Sequence, residues 1–174
     1  DLTREFKFRW SPHTWRGVPI IASNMDTVGT FEMARALTKH SMLTCVHKYY
    51  SLDDWKNEML TLDLRFVAPS IGANDEDFER FTNLYKLAQD VKLSPDPIYF
   101  LCVDVANGYG EYFPEFVKKI RETWRYLTII AGNVVTAEMT EQLILSGADI
   151  VKVGLGSGAV CLTRKISGVG YPQL

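Results

Sequence analysis

From Val18 onward, short apolar runs alternate with segments of helical period, and this repetition constrains the fold more than any single motif. Strands are predicted over residues 18–22, 43–46, 66–68, 98–103, 128–131 and 149–153. Helices are predicted between them, over 31–39, 52–60, 75–90, 114–124 and 137–146. Ser51 and Thr136 each precede a helix whose first turn carries carboxylates, the pattern of an N-capping residue. Pro95 and Pro97 mark a surface turn before the fourth strand. Strict alternation calls for a parallel sheet, because parallel strands need a long crossover, usually a helix, to be joined.

Polar residues gather just after the strands: Asn24 and Asp26, His47 and Lys48, Ser70, Asp104 and Asn107, Asn133, then the glycine-rich stretch holding Cys161. In a β/α barrel all strand C-termini share one face, and that face carries the chemistry. A doubly wound sheet also binds ligands there, but its phosphate fingerprint follows the first strand, where this chain has Asn24-Met25-Asp26-Thr27-Val28-Gly29. Gly154-Leu155-Gly156 lacks the third glycine at the fingerprint spacing. The expected fold is therefore a (β/α)8 TIM barrel. A full barrel takes about 250 residues, so the 174 residues represent roughly six of the eight β/α units, an incomplete barrel. Residues 1–17, with Phe6, Phe8, Trp10 and Trp15, read as a lead segment packing on the barrel, and 18–174 as the partial catalytic domain. The chain does not begin with Met and is expected to be part of a longer one.

Nineteen basic and 21 acidic residues give a net charge of −2, with no block of like charge, so neither nucleic acid nor a membrane is an expected partner. No apolar run reaches the ~18 residues of a membrane span, and the first residues lack a secretory pattern. Cys45, Cys102 and Cys161 are odd in number and without CxxC spacing, which points to the reducing cytoplasm rather than to disulfides or zinc. Cys45 and Cys102 sit within apolar runs and read as small buried hydrophobes. Cys161 differs. It follows Gly154, Gly156 and Gly158, which let the backbone turn sharply off an apolar strand and present a nucleophile beyond its end. On these residues alone, a flexible glycine loop with a packed cysteine remains the alternative.

Asn24-Met25-Asp26-Thr27-Val28-Gly29-Thr30-Phe31-Glu32-Met33, His47-Lys48-Tyr49-Tyr50-Ser51, Asp104-Val105-Ala106-Asn107-Gly108-Tyr109, Ala131-Gly132-Asn133-Val134-Val135-Thr136 and Gly168-Val169-Gly170-Tyr171-Pro172-Gln173 closely resemble the GMP reductases. The related IMP dehydrogenases typically have Ser-Ser-Gln-Gly where this chain has Val105-Ala106-Asn107-Gly108. They also often carry a regulatory insert between the second helix and third strand, where only a few residues separate Leu60 from Phe66. The resemblance implies NADPH-dependent reductive deamination of GMP to IMP and ammonia. It implies Cys161 as the nucleophile that forms a covalent thioimidate with the purine, and Thr163 as part of the proton relay, working with a glutamate further along the family's chain. Lys48, Asp104, Val105, Ala106, Leu155 and Gly156 correspond to NADPH-binding positions. Gly156, Gly158 and Arg164 correspond to a monovalent-cation (K+) site, and the family assembly implied is a homotetramer. The alternatives are an NAD-dependent IMP dehydrogenase and a short non-catalytic form that binds nucleotide or joins an assembly.

Three residues depart from the family loop: Ser157 stands where proline is usual, Ala159 where serine is usual, and Leu162 where threonine is usual. Loss of a serine hydroxyl at Ala159 is expected to weaken nucleotide-phosphate binding by ~1.5 to 3 kcal/mol. The family's Asp-Gly-Gly and second glycine phosphate loops, its mobile flap and its glutamate are not among these residues. An open sheet of six strands leaves edges that call for a partner or for more chain.

Overall fold

The computed structural model describes residues 2–92, 94, 97–158 and 161–171; the expected turn at Pro95 and the substitution at Ala159 lie outside them. The chain starts with an antiparallel hairpin, β1 (Arg4–Lys7) and β2 (Thr14–Gly17), which sets Phe6 opposite Trp15. Its connection carries none of the two-residue turn signals that make hairpins legible in a sequence. The β/α succession follows: β3 (Ile21–Ala22), α1 (Phe31–Thr38), β4 (Leu43–Val46), α2 (Leu52–Glu58), β5 (Val67–Ile71) and α3 (Asp75–Lys92). It continues through β6 (Phe100–Asp104), α4 (Tyr112–Thr123), β7 (Thr128–Val134), α5 (Ala137–Leu145), β8 (Ile150–Val153) and a short, unanticipated α6 (Thr163–Ser167). Ser51 and Thr136 cap their helices as expected, Ser51 in a reciprocal capping box with Asp54.

Strands β3 to β8 form one parallel sheet in sequential order. A doubly wound sheet reverses its strand order at a switch point; unbroken order means the chain always advances the same way round, as in a barrel. The sheet is strongly curled. Flat, β3 and β8 would stand about 24 Å apart at about 4.8 Å per strand, yet Lys152 Nζ on β8 donates to Asn24 Oδ1, just beyond β3, at 2.8 Å. The result is an open barrel of six β/α units.

Both faces of the inner strands β4–β7 are buried, and side chains alternate between them with the period of two that a strand imposes. Leu101 and Val103 of β6 join the helix-facing core with Phe81, Phe113, Val117 and Ile120. Phe100 and Cys102 face the concave side with Leu43, Cys45, Ala68 and Ile130, where Phe8 and Trp15 of the lead segment pack against them. Cys45 and Cys102 are fully buried, and a hydrogen bond to Cys102, together with burial, pushes the Cys45 thiol well above its usual range. Three strands run past their expected C-terminal limits. Ser70, Asp104 and Asn133, expected just past their strands, are residues of β5, β6 and β7. Pairing with neighbours extends each of these strands further than its own apolar run. The first strand is instead shorter than 18–22, because Pro19 has no N–H to give to a ladder.

At the N-terminal end of the strands, Asp149 gathers four donors: the backbone N–H groups of Trp10 (2.9 Å), Ser11 (3.1 Å) and Ile129 (3.1 Å), and Arg121 Nη2 (2.6 Å). The Asp149 side chain is 0% exposed and that of Arg121 11%. Burial pulls the Arg121 pKa below its ordinary value while Asp149 opposes the shift. This cluster ties the lead segment to β7, β8 and α4. Replacing Asp149 with alanine strands a buried guanidinium and is expected to lower stability by about 3–5 kcal/mol, measured by urea unfolding; Asp149→Asn, which keeps acceptor capacity, should lose less.

Candidate active site at the strand C-termini

The other end of the sheet is polar, and its loops are stitched to one another by main-chain bonds. Beyond β6, Val105 N–H donates to Gly132 O (2.8 Å) and Gly108 N–H to Asn133 O (3.2 Å), while Asn133 N–H returns a bond to Val105 O (3.2 Å). Asn107 Oδ1 accepts from Tyr109 N–H at 3.1 Å, and Tyr109 Oη accepts from Val135 N–H at 3.1 Å. The segment from Val105 to Tyr109 is therefore held against the end of β7. The glycine loop is held to the same strand: Gly154 N–H donates to Val134 O (2.8 Å) and Asn133 Nδ2 to Gly154 O (2.8 Å). Farther along, Tyr171 N–H donates to Leu155 O (2.8 Å) and Cys161 N–H to Gly158 O (3.0 Å), folding the loop back on itself.

These loops surround an open cavity of about 340 Å³. Among its walls are Asp104, Val105, Ala106, Leu155, Gly156 and the half-buried Cys161. Residues predicted from two separate strand ends thus meet around one space. Others stand apart. The exposed Lys48 borders a different, much smaller cavity, with Ser70 and Arg80. Gly158 and Arg164 lie on the glycine loop and α6 but do not line the larger cavity. Thr163 opens α6 two residues after Cys161, and its side chain lies outside the described residues. Gly156 has φ +58°, and a Cβ there would come within 2.8 Å of Arg164 Cγ, so this position needs glycine for both its conformation and its neighbour.

The residue that sequence reasoning missed is Lys152. It lines the cavity, its ammonium bonding both Asp104 and Asn24 Oδ1. Register explains how it reaches. Asp104 pairs with Gly132 and Gly132 with Lys152, so the two charged residues flank a position with no side chain. A Cβ on Gly132 would stand 2.5 Å from Lys152 Cβ and 2.6 Å from Lys152 O. Burial disfavours the ammonium, but Cys102 and Asp104 outweigh it and hold the Lys152 pKa above its ordinary value. The signal available in the sequence was a lysine alone among the branched apolar residues of Ile150–Val153.

The chemistry of the walls suits the groups expected here. Val105, Ala106 and Leu155 offer apolar surface to a flat ring, and Asp104 offers a carboxylate to hydroxyl groups beside it. Among the described residues no three His, Cys, Asp or Glu side chains cluster as a metal site. Main-chain carbonyls remain: those of Gly158 and Arg164 each accept one main-chain bond, from Cys161 and Gly168, and keep a second lone pair. Such oxygens fit a hard monovalent cation.

Comparison with known proteins adds to this geometry. Residues 7–174 match the IMP dehydrogenase / GMP reductase domain. The chain is 56% identical over 177 residues to a GMP reductase of Citrobacter koseri, covering 100% of this chain and 49% of that protein. It is 55% identical over 176 residues to GMP reductase 1 of Mus musculus, with the same coverage of 100% and 49%. In three dimensions it is similar to inosine 5′-monophosphate dehydrogenase from Legionella pneumophila, with a TM-score of 0.75, 30% identity, and coverage of 89% of this chain and 45% of that one. The chain spans about half the length of the curated relatives it matches.

Gly132→Ala tests the close approach at the cavity wall. It is expected to cost about 1–3 kcal/mol by overpacking in urea unfolding, and to displace Lys152 from Asp104 in a structure of the variant.

Proposed function

The chain belongs to the IMP dehydrogenase / GMP reductase family, and we propose that it acts as a GMP reductase, converting GMP to IMP and ammonia at the expense of NADPH. One observation carries this reading: Cys161 shares a single cavity with Asp104, Val105, Ala106, Leu155 and Gly156, the positions at which a nucleophile and a nicotinamide ring would have to meet. The 55–56% identity to GMP reductases, against 30% to the IMP dehydrogenase, favours the reductase over the dehydrogenase.

In this reaction Cys161, as thiolate, attacks C2 of the purine, and the covalent bond to sulfur holds the base while the 2-amino group leaves as ammonia. Thr163 passes the proton that the departing amine requires. A hydroxyl is a weak acid and base by itself, so it acts with a stronger partner, by resemblance a glutamate. NADPH, when bound, supplies the hydride that C2 accepts. The C2–sulfur bond then breaks, and Cys161 is regenerated as IMP departs. Asp104 would accept hydrogen bonds from the nicotinamide ribose, Val105 and Ala106 would flank the ring, and Leu155 and Gly156 would close over it. Lys48, on its separate strand end, would meet a remoter part of the dinucleotide as a cation. The carbonyls of Gly156, Gly158 and Arg164 would hold K+ and so order the loop that carries Cys161.

The lead segment 1–17 and the barrel segment 18–174 would serve one catalytic domain, in a cytoplasmic homotetramer. No helix among the described residues is long and apolar enough to cross a membrane.

The test is steady-state turnover by the full-length protein. GMP-dependent oxidation of NADPH is expected, abolished in Cys161→Ala and lowered by about 10²- to 10⁴-fold in Thr163→Ala. Turnover with IMP and NAD alone would assign the dehydrogenase reaction instead, and turnover that survives loss of Cys161 would overturn the covalent mechanism.

A further inference from the structure

Lys152 borders the cavity and has no part in the reaction just described. An ammonium carries three donors and no acceptor, so each group that bonds it must turn an oxygen toward it. Asn24 gives Lys152 its Oδ1 at 2.8 Å, which commits its NH2 group to other acceptors. Asp104 gives Oδ1 and keeps Oδ2 as an acceptor. Asn133, on the same cavity, is set by a different partner: one of its two Nδ2 hydrogens goes to Gly154 O at 2.8 Å, which fixes which end of the amide is Oδ1, an acceptor. The wall therefore has a defined polarity, a donor at Asn24 and acceptors at Asp104 and Asn133. Two of those three settings originate at Lys152.

Lys152 is also held firmly itself. Its side chain is 21% exposed, its backbone is in register with Gly132, and the missing side chain there opens the path to Asp104. The Asn24 contact spans from one edge strand of the sheet to the segment beyond the other edge, so the same ammonium braces the open side of the barrel.

We propose that Lys152 is the positioning residue of the dinucleotide site: anchored by Asn24, it fixes the orientation of Asp104, the group that meets the nicotinamide ribose, without touching the ligand. The inference rests on the reading of Asp104 as a cofactor contact. It assigns to Lys152 an effect on dinucleotide affinity that is separable from GMP binding and from folding.

The experiment uses the full-length protein and two readouts, NADPH affinity by fluorescence titration without GMP, and kcat and KM for each substrate. Lys152→Met is expected to weaken NADPH binding by about 10- to 100-fold, the range that loss of an orienting partner costs at metal sites. The KM for GMP should stay within about threefold of wild type. Lys152→Arg, which keeps the charge and several donors, should recover most of the loss. Asp104→Asn added to Lys152→Met should weaken binding far less than it does alone, because the two act as a unit. Thermal unfolding of every variant follows the fold, with Lys152→Gln as a second charge-removing variant should Lys152→Met not fold. Unchanged NADPH affinity in folded Lys152→Met or Lys152→Gln overturns the proposal. So does a parallel rise in both substrates' KM, and so does failure of arginine to rescue. A wild-type protein that binds NADPH but does not turn over GMP overturns the proposed reaction alone, since the affinity ratio remains measurable; one that binds no NADPH overturns both.

Discussion

A single ammonium reaches across the mouth of the barrel, and much of the polar end of the molecule is arranged around it. Lys152 bonds Asp104 over the vacancy at Gly132 and bonds Asn24 beyond the opposite edge strand. An ion pair so placed is stable only because burial is partial and every partner contributes an acceptor; a buried lysine without them would be forced toward its neutral form. It also demands a curled sheet, since flat strands would leave β8 and Asn24 far beyond the span of one side chain. The bond to Asn24 thus requires the curvature.

The two ends of the sheet divide the work. At the N-terminal end Asp149 collects main-chain donors from the lead segment and β7 together with the Arg121 guanidinium, and the aromatic residues Phe8 and Trp15 fill the concave core. That cluster seats the lead segment against the barrel. At the C-terminal end the loops are stitched to β7 by main-chain bonds, which leaves the side chains of Asp104 and Cys161 available to the cavity. This is the usual division in β/α barrels, stability at one end and chemistry at the other. It follows from strands that all point the same way.

Much of the fold was legible in the chain itself. The alternation of apolar runs with helical segments led to a parallel sheet; β4 matches its predicted span, and Ser51 and Thr136 cap where their side chains could satisfy the first N–H groups of a helix. Those features are local, set by residues within one turn or one strand. The hairpin was not legible, since its two strands are joined without a two-residue hairpin turn signal and Trp15 is seated by a contact with Phe100 far along the chain. The positions of Ser70, Asp104 and Asn133 within strands were missed for the opposite reason: their polarity reads as loop, but Ser70 pairs with Cys102 and Asp104 with Gly132, and Asn133 is carried between the paired Gly132 and Val134.

By itself the sequence determined the succession of β/α units, the glycine-flanked setting of Cys161 and the motifs that tie the chain to its family, because each depends on neighbours close along the backbone. Only the tertiary structure decided which strand ends share a cavity. Lys152 meets Asp104 across 48 residues of sequence and Asn24 across 128, while Lys48, equally prominent as a strand-end charge, borders a separate space. The reason is register. Whether two distant side chains meet is set by how far each strand slides against the next and by which position between them carries no side chain, and neither is written in any local run of residues.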